Sequence, residues 1–344
     1  MSDYVWGNQE TQLFFNLTPE TILDAIDSVG FKTTGRCLPL NSIENRVYEV
    51  EIDRPDSEIK TVSDNFIVTK FYRPGRWSKE QILDEHEFIY DLIDAEVPVI
   101  PPLKIDGQTL FELKGHKLFF CVYEKRGGRN PEELNEEQLE IMGRSLARIH
   151  SVGAQKKSLH RINLSPETYG EANLKYLEST NFLPVDIKEH YLAIAHQIIG
   201  ESKELFKGVN SQRIHGDFHK GNIILRGDDS YFVDFDDMVT GPVVQDVWPV
   251  CTGDDEQSLI DRDVFLAAYD SIRSFPFDQL KLIPCLRALR LIHFSAWIAK
   301  RWDDPSFKHT FSYFESPNYW YGQMNDLRAL HNKIIEGKNP YWNH

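Results

Sequence analysis

His215-Gly-Asp-Phe-His-Lys-Gly-Asn222, followed by Val233-Asp-Phe-Asp-Asp237, is the stretch on which the reading of the whole chain turns. Asp217 and Asn222 stand five positions apart, and Gly216 and Gly221 let the backbone turn tightly around them. A carboxylate and an amide oxygen therefore share one short loop. The apolar runs Ile223-Ile-Leu225 and Tyr231-Phe-Val233 flank Arg226-Gly-Asp-Asp-Ser230, the pattern of a β-hairpin with a Gly/Asp turn, which returns Asp234 towards Asn222. Oxygen ligands of this kind suit a hard cation such as Mg²⁺, which keeps several waters and shares substrate phosphates rather than taking a full protein cage. The residue types thus point to phosphoryl transfer from a nucleotide.

The pattern His-Gly-Asp-x-His-x-Gly-Asn with an Asp-bearing hairpin behind it resembles the aminoglycoside-phosphotransferase/choline-kinase branch of the protein-kinase-like fold. That resemblance implies an α+β, bilobal protein: a small β-rich N-lobe over residues 1–123 that binds nucleotide, and a larger, mainly helical C-lobe over 124–344. Carried over by motif, Asp217 is the catalytic base, and Asn222 and Asp234 hold Mg²⁺. The second motif reads Asp-Phe-Asp where protein kinases have Asp-Phe-Gly, so Asp236 is a further candidate for the metal.

Composition sets limits on partners. The 344 residues suffice for two lobes, and the mixture of 41% hydrophobic and 26% charged residues is ordinary for a globular protein. A net charge of −15 leaves no broad basic surface for nucleic acid. The four cysteines, Cys37, Cys121, Cys251 and Cys285, lie far apart and form no Cys-x-x-Cys pair, as expected of reduced thiols in a cytosol. No apolar run approaches the ~18 residues of a membrane span. The start of the chain lacks the basic and apolar regions of a signal peptide. A soluble, cytoplasmic monomer is expected.

In chain order, Thr18-Pro-Glu is a helix start, with Ile22, Leu23, Ile26 and Val29 on one face and Gly30 at the end. A strand-rich region follows to about residue 123. Where a kinase carries its glycine-rich loop, Leu40-Asn-Ser-Ile-Glu-Asn-Arg-Val-Tyr48 has no glycine. Ser42 and Asn45 are short polar side chains suited to bonding phosphate oxygens, Ser42 being the expected nucleotide contact, against the plainer reading of an Asx or Ser turn. Lys70 shares a strand face with Phe66, Val68 and Tyr72, and Val-x-Lys resembles the kinase lysine that binds the α/β-phosphates. Its expected ion-pair partner is a glutamate on a helix over 79–95, which offers Glu85 and Glu87; counted back from Val97-Pro-Val99, the family spacing that the resemblance implies favours Glu85. Glu87 points about 200° away and reads as a solvated charge.

Phe119-Phe-Cys-Val-Tyr123 reads as a buried strand leading into Glu124-Lys-Arg-Gly-Gly128, whose glycines mark a hinge. By resemblance, backbone groups near 121–124 would read an adenine edge. Beyond it, Leu139, Met142, Leu146 and Ile149, and then 191–206, have helical period. His150 reads as a helix cap without catalytic weight. Gly241 to Trp248 is expected to begin a helix, with Asp246 bonding the catalytic-loop backbone by resemblance. Arg287, Arg290, His293, Trp297, Arg301 and Trp302 read as core, rim or substrate-side residues.

Further stretches, among them Pro39-Leu-Asn-Ser-x-Glu-Asn-Arg-Val47 and Ala296-Trp-Ile-x-x-Arg-Trp302, extend the resemblance over most of the chain to bacterial stress-response Ser/Thr protein kinases of this family. It implies ATP- and Mg²⁺-dependent phosphorylation of protein Ser/Thr, including autophosphorylation. Three other readings stand beside it: a kinase of small hydroxyl compounds such as an aminoglycoside, choline or homoserine, which would use the same motifs; a metallohydrolase, because His215-x-Asp-x-His219 resembles a metal-ligand spacing; and a nucleotide-binding pseudokinase, against which Lys70, Glu85, Asp217, Asn222 and Asp234 are all present.

Overall fold

The computed structural model describes residues 14, 17–113, 115–116, 118–227 and 229–335. The outer ends of the two expected lobes, 1–13 and 336–344, and Asp228 of the expected hairpin turn lie outside them. The chain divides into two compact units, one made of Met1–Pro131, Ile223–Asp236 and Asp303–Phe307, the other of Glu132–Asn222, Asp237–Trp302 and Lys308–His344. The first unit thus runs past residue 123 and takes in two later segments.

The first unit starts with α1 (Pro19–Ser28), where the Thr18 side chain accepts the Thr21 amide and Pro19 opens the first turn. A five-stranded antiparallel sheet follows, formed by β1 (Thr33–Pro39), β2 (Arg46–Ile52), β3 (Phe66–Phe71), β4 (Phe111–Leu113) and β5 (Leu118–Glu124) in the order β1-β2-β3-β5-β4. Between β3 and β4 runs α2 (Lys79–Asp94), closed at its start by a Ser78/Gln81 capping box. Ile22 and Ile26 of α1 join Val50, Ile52, Ile67, Phe71, Phe120 and Val122 in one core. Phe71 stands opposite Phe120 across the ladder, with the rings stacked 5.3 Å apart. Each such phenylalanine contributes roughly 1.5–3 kcal/mol by burial. Because strand side chains alternate, Lys70 lies out of phase with Ile67 and Phe71 and projects from the other face. Asp304 ties residues 303–307 to this unit, with Arg73 at 3.0 Å and Arg46 at 3.5 Å.

The second unit is mainly helical: α3 (Glu136–Gly153), a π-helical turn at Pro166–Glu171, α4 (Ala172–Glu178) and α5 (Val185–Leu205) lead to β6 (Gln212–Ile214). The chain then supplies the first unit with the hairpin β7 (Ile223–Arg226) and β8 (Asp229–Phe232), and returns as β9 (Val239–Gly241), which pairs with β6. Next come α6 (Glu256–Asp270), α7 (Ile283–Lys300), α8 (Pro305–Thr310), which starts in the first unit and ends in the second, and α9 (Pro317–Ile335). Gly143 lets α3 lie close on α6, since a Cβ there would stand 2.3 Å from the Phe265 carbonyl oxygen.

Two expectations are corrected. Gly241 to Trp248 is not the start of a helix but the end of β9 and a 3₁₀ turn at Val243–Asp246. Pro242 and Pro249 bracket the segment, and a proline both removes an amide donor and turns its predecessor away from helix. Helical residues Phe277–Lys300 do hold an 18-residue window apolar enough, at a mean hydropathy of 1.3, to cross a membrane. Of that window 67% is buried within the protein, and a core helix meets the same criterion. Arg287 and Arg290 interrupt the apolar run and hid it.

Candidate active site

In the first unit the site is built around Lys70 of β3. Its Nζ lies 3.7 Å from Glu85 on α2, 3.3 Å from Asp234 and 3.1 Å from Asp236. Burial alone would lower the lysine pKa, but the three carboxylates, Asp236 foremost, outweigh it and hold Lys70 well above its ordinary value. Lys70 is a fixed cation. Glu85 is buried and Glu87 exposed on the same helix.

Asp234 and Asp236 are placed very differently. Asp234 keeps 56% of its side chain exposed and has a left-handed backbone, φ +62°, which aspartate tolerates better than most residues. Asp236 is buried, and both its oxygens are taken: Lys70 meets Oδ1, while Arg76 and the Asn45 amide, at 3.1 Å, meet Oδ2. Basic groups thus neutralise Asp236, which sets it apart from the half-exposed Asp234. Asn45 is likewise spent internally, because its Oδ1 accepts the Arg73 amide at 3.0 Å. Ser42 lies partly exposed in the connection between β1 and β2.

In the second unit the loop 215–222 hangs on Asp246. The His215 amide donates to Asp246 Oδ2 at 2.7 Å and the Gly216 amide to Oδ1 at 2.8 Å. His150, fully buried, faces Oδ2 through Nε2 at 3.1 Å and the Tyr269 hydroxyl through Nδ1 at 2.9 Å. Burial lowers its pKa, with Asp246 opposing, so His150, in the last turn of α3, also braces the loop from inside. Gly216 is required here: φ is +87°, and a Cβ would meet the Asp237 carbonyl oxygen at 2.0 Å.

The loop then organises Asp217 and Asn222 together. The Asn222 amide nitrogen donates to the Asp217 carbonyl at 2.9 Å, which leaves the Asn222 side-chain oxygen as the free end. Gly221 N donates to His219 Nδ1 at 2.9 Å, so the neutral imidazole carries its proton on Nε2, 3.3 Å from Asp217 Oδ2. Arg290 of α7 donates to Asp217 Oδ1 at 2.7 Å. Burial would raise the Asp217 carboxyl, yet Arg290 and then His219 hold it well below the usual carboxylate range. Asp217 is ionised, with a partner on each oxygen. The contact from Arg290 escaped the sequence reading because 73 positions separate the pair. Its one trace in the sequence was a run of basic residues on an otherwise apolar helix.

The zinc-like spacing of His215 and His219 does not make a zinc site. His215 Nδ1 accepts the Asp217 amide at 3.3 Å and His219 Nδ1 accepts Gly221 N, which commits a ring nitrogen of each to the loop. Among the described residues no group of three or more His, Cys, Asp or Glu could hold a metal ion.

With a kinase-type lysine–glutamate pair in one unit and a braced Asp/Asn loop in the other, comparison with known proteins decides the family. Residues 36–283 match the phosphotransferase enzyme family, APH. The chain belongs to this family. Among curated phosphotransferase relatives, stress response kinase A of Shigella flexneri is 35% identical over 317 residues, covering 92% of this chain and 93% of that protein. The serine/threonine protein kinase RdoA of Salmonella typhimurium is 34% identical over 334 residues, covering 96% and 98%. Among solved structures, amicoumacin kinase hAmiN in complex with AMP-PNP, Ca²⁺ and Ami superposes with a TM-score of 0.69 at 18% identity, covering 96% of each chain. A microcompartment-associated aminopropanol kinase gives 0.69 at 15% identity, covering 94% and 99%. At these identities the two structures show the shared APH, protein-kinase-like fold.

Proposed function

We propose that this phosphotransferase is an ATP- and Mg²⁺-dependent Ser/Thr protein kinase that also phosphorylates itself and acts in a cytoplasmic stress response. The observation that carries the reading is 34–35% identity, over nearly the whole chain, to relatives named as a stress response kinase and a serine/threonine protein kinase.

In this reading the acceptor oxygen attacks the γ-phosphorus of ATP, the bond to the ADP oxygen breaks, and the acceptor proton passes to Asp217. His215, His219 and Asp246 hold the loop that presents this carboxylate. Lys70, steadied by Glu85 and Asp236, binds the α/β-phosphates, and Ser42 adds a hydroxyl contact to the nucleotide. Asn222 offers an amide oxygen and Asp234 an exposed carboxylate, hard donors that fit Mg²⁺ better than zinc. When bound, the ion neutralises phosphate charge.

The second reading, a small-molecule kinase, is favoured by the names of the structural neighbours, which act on amicoumacin and aminopropanol. Incubation with γ-labelled ATP separates the two. Label should enter the protein itself and added protein acceptors at serine or threonine. Rapid labelling of amino alcohols or aminoglycosides with none on protein would replace the first reading by the second.

A further inference from the structure

α7 carries Arg287, Arg290, His293 and Lys300 and no acidic residue, although the whole protein has a net charge of −15. Arg287 pairs with Asp254, which also meets Lys333 of α9. Arg290 is different, because its partner is the functional carboxylate of the loop and 39% of its side chain remains open to solvent. Asp237 also attracts it, and the Trp248 ring lies 6.0 Å from its guanidinium carbon.

An acceptor hydroxyl that is to give its proton to Asp217 must approach a carboxylate that already has a donor on each oxygen; each oxygen can accept a second one, but at Oδ1 the hydroxyl has to share the oxygen and the space around it with the Arg290 guanidinium. The bond from Arg290, at 2.7 Å against 3.3 Å from His219, is the shorter one and comes from a fixed cation. An amine-bearing acceptor would bring a second cation against this guanidinium. A carboxylate beside the hydroxyl would instead offer Arg290 a replacement partner and release Asp217 Oδ1. In an extended peptide successive residues advance by about 3.3 Å, so an acid next to or two places from the hydroxyl lies within the reach of an arginine side chain.

We propose that Arg290 is a specificity-determining latch, seated on Asp217 until an acidic residue flanking the acceptor serine or threonine draws it away. The preferred acceptor is then an acidic peptide segment. This rests on the protein-acceptor reading above. The bonds made and broken in the transfer are unchanged, since Arg290 only exchanges one carboxylate for another.

Paired peptides differing only in Glu or Lys beside one serine test the latch. With wild-type protein the Glu peptide should have a kcat/KM higher by about tenfold or more, carried mainly by KM, and the ratio should shrink as salt rises. Arg290→Ala should bring the ratio close to one with the KM for ATP unchanged, and Arg290→Lys should keep part of it. If Arg290→Ala does not fold, the wild-type ratio and its salt dependence decide alone. Equal use of the two peptides, a preference for Lys, or a preference that survives Arg290→Ala overturns the latch and leaves a protein kinase standing. Transfer to neither peptide alongside rapid transfer to a small hydroxyl compound removes the protein-acceptor reading, and the latch with it.

Discussion

Asp217, Asp234 and Asp236 are chemically the same residue in three surroundings, and the surroundings decide what each can do. Asp217 is held ionised by Arg290 and His219, Asp234 stands half in water, and Asp236 is enclosed by Lys70, Arg76 and Asn45. Asp236→Ala would leave two buried cations short of a partner, so a loss of about 3–5 kcal/mol is expected in a urea unfolding curve, larger than for any surface aspartate. Lys70→Met should nearly abolish transfer, while Glu87→Ala, at an exposed position, should leave it unchanged in a steady-state assay. Lys300 gives a pH signature. Burial, and then Arg301, lower its pKa to about 8 from an ordinary 10.5. The cost of keeping it charged is present below pH 8 and fades as pH rises towards 10.5. Lys300→Met should therefore stabilise the protein more at pH 7 than at pH 10 in thermal melts; an equal gain at both would contradict the shift. Helix period limits the partner of Lys70 to one of Glu85 and Glu87, and it was the family spacing counted back from Val97-Pro-Val99 that singled out Glu85. Arg76 with Asp236 and Arg290 with Asp217, 160 and 73 positions apart, could not be read without the fold.

At the level of elements, the loop 215–222 shows how a few backbone bonds set a functional geometry. Its two opening amides end on Asp246, and no side chain fits at Gly216. Asp246→Ala leaves buried amides unpaired at about 1–3 kcal/mol each, so kcat should fall together with stability. Gly216→Ala should be worse still, because strain and a clash with the Asp237 carbonyl coincide. Circular-dichroism melts beside the transfer rate would separate the two effects. The helices α1 and α2, the β3 strand and the 223–232 hairpin could be read from caps, alternation and turn residues. The segment after β9 was misread, because Pro242 fits the first position of a helix as well as it fits a turn, and Pro249 only eight residues after Gly241 leaves too short a run for a helix. The π-helical turn before α4 carries no local sign in the sequence.

At the scale of the whole molecule, membership of the APH phosphotransferase family and an α+β fold were legible from two short motifs together with the change from strand to helix period after about residue 123. The long-range path of the chain was less legible: the hairpin and residues 303–307 both belong to the first unit, tied there by the backbone bridges Val99–Phe232 and Arg129–Leu225 and by the Asp304 ion pairs, which no local pattern announces. The central claim is that Asp217 serves phosphoryl transfer from ATP to a Ser/Thr hydroxyl. Intact-mass measurement after incubation with Mg-ATP tests it most directly. Wild-type protein should gain the mass of one or more phosphates on serine or threonine, while Asp217→Asn, with near-normal ATP binding, should gain it about 10²–10⁴-fold more slowly. Equal phosphate uptake by the two proteins would contradict the assignment.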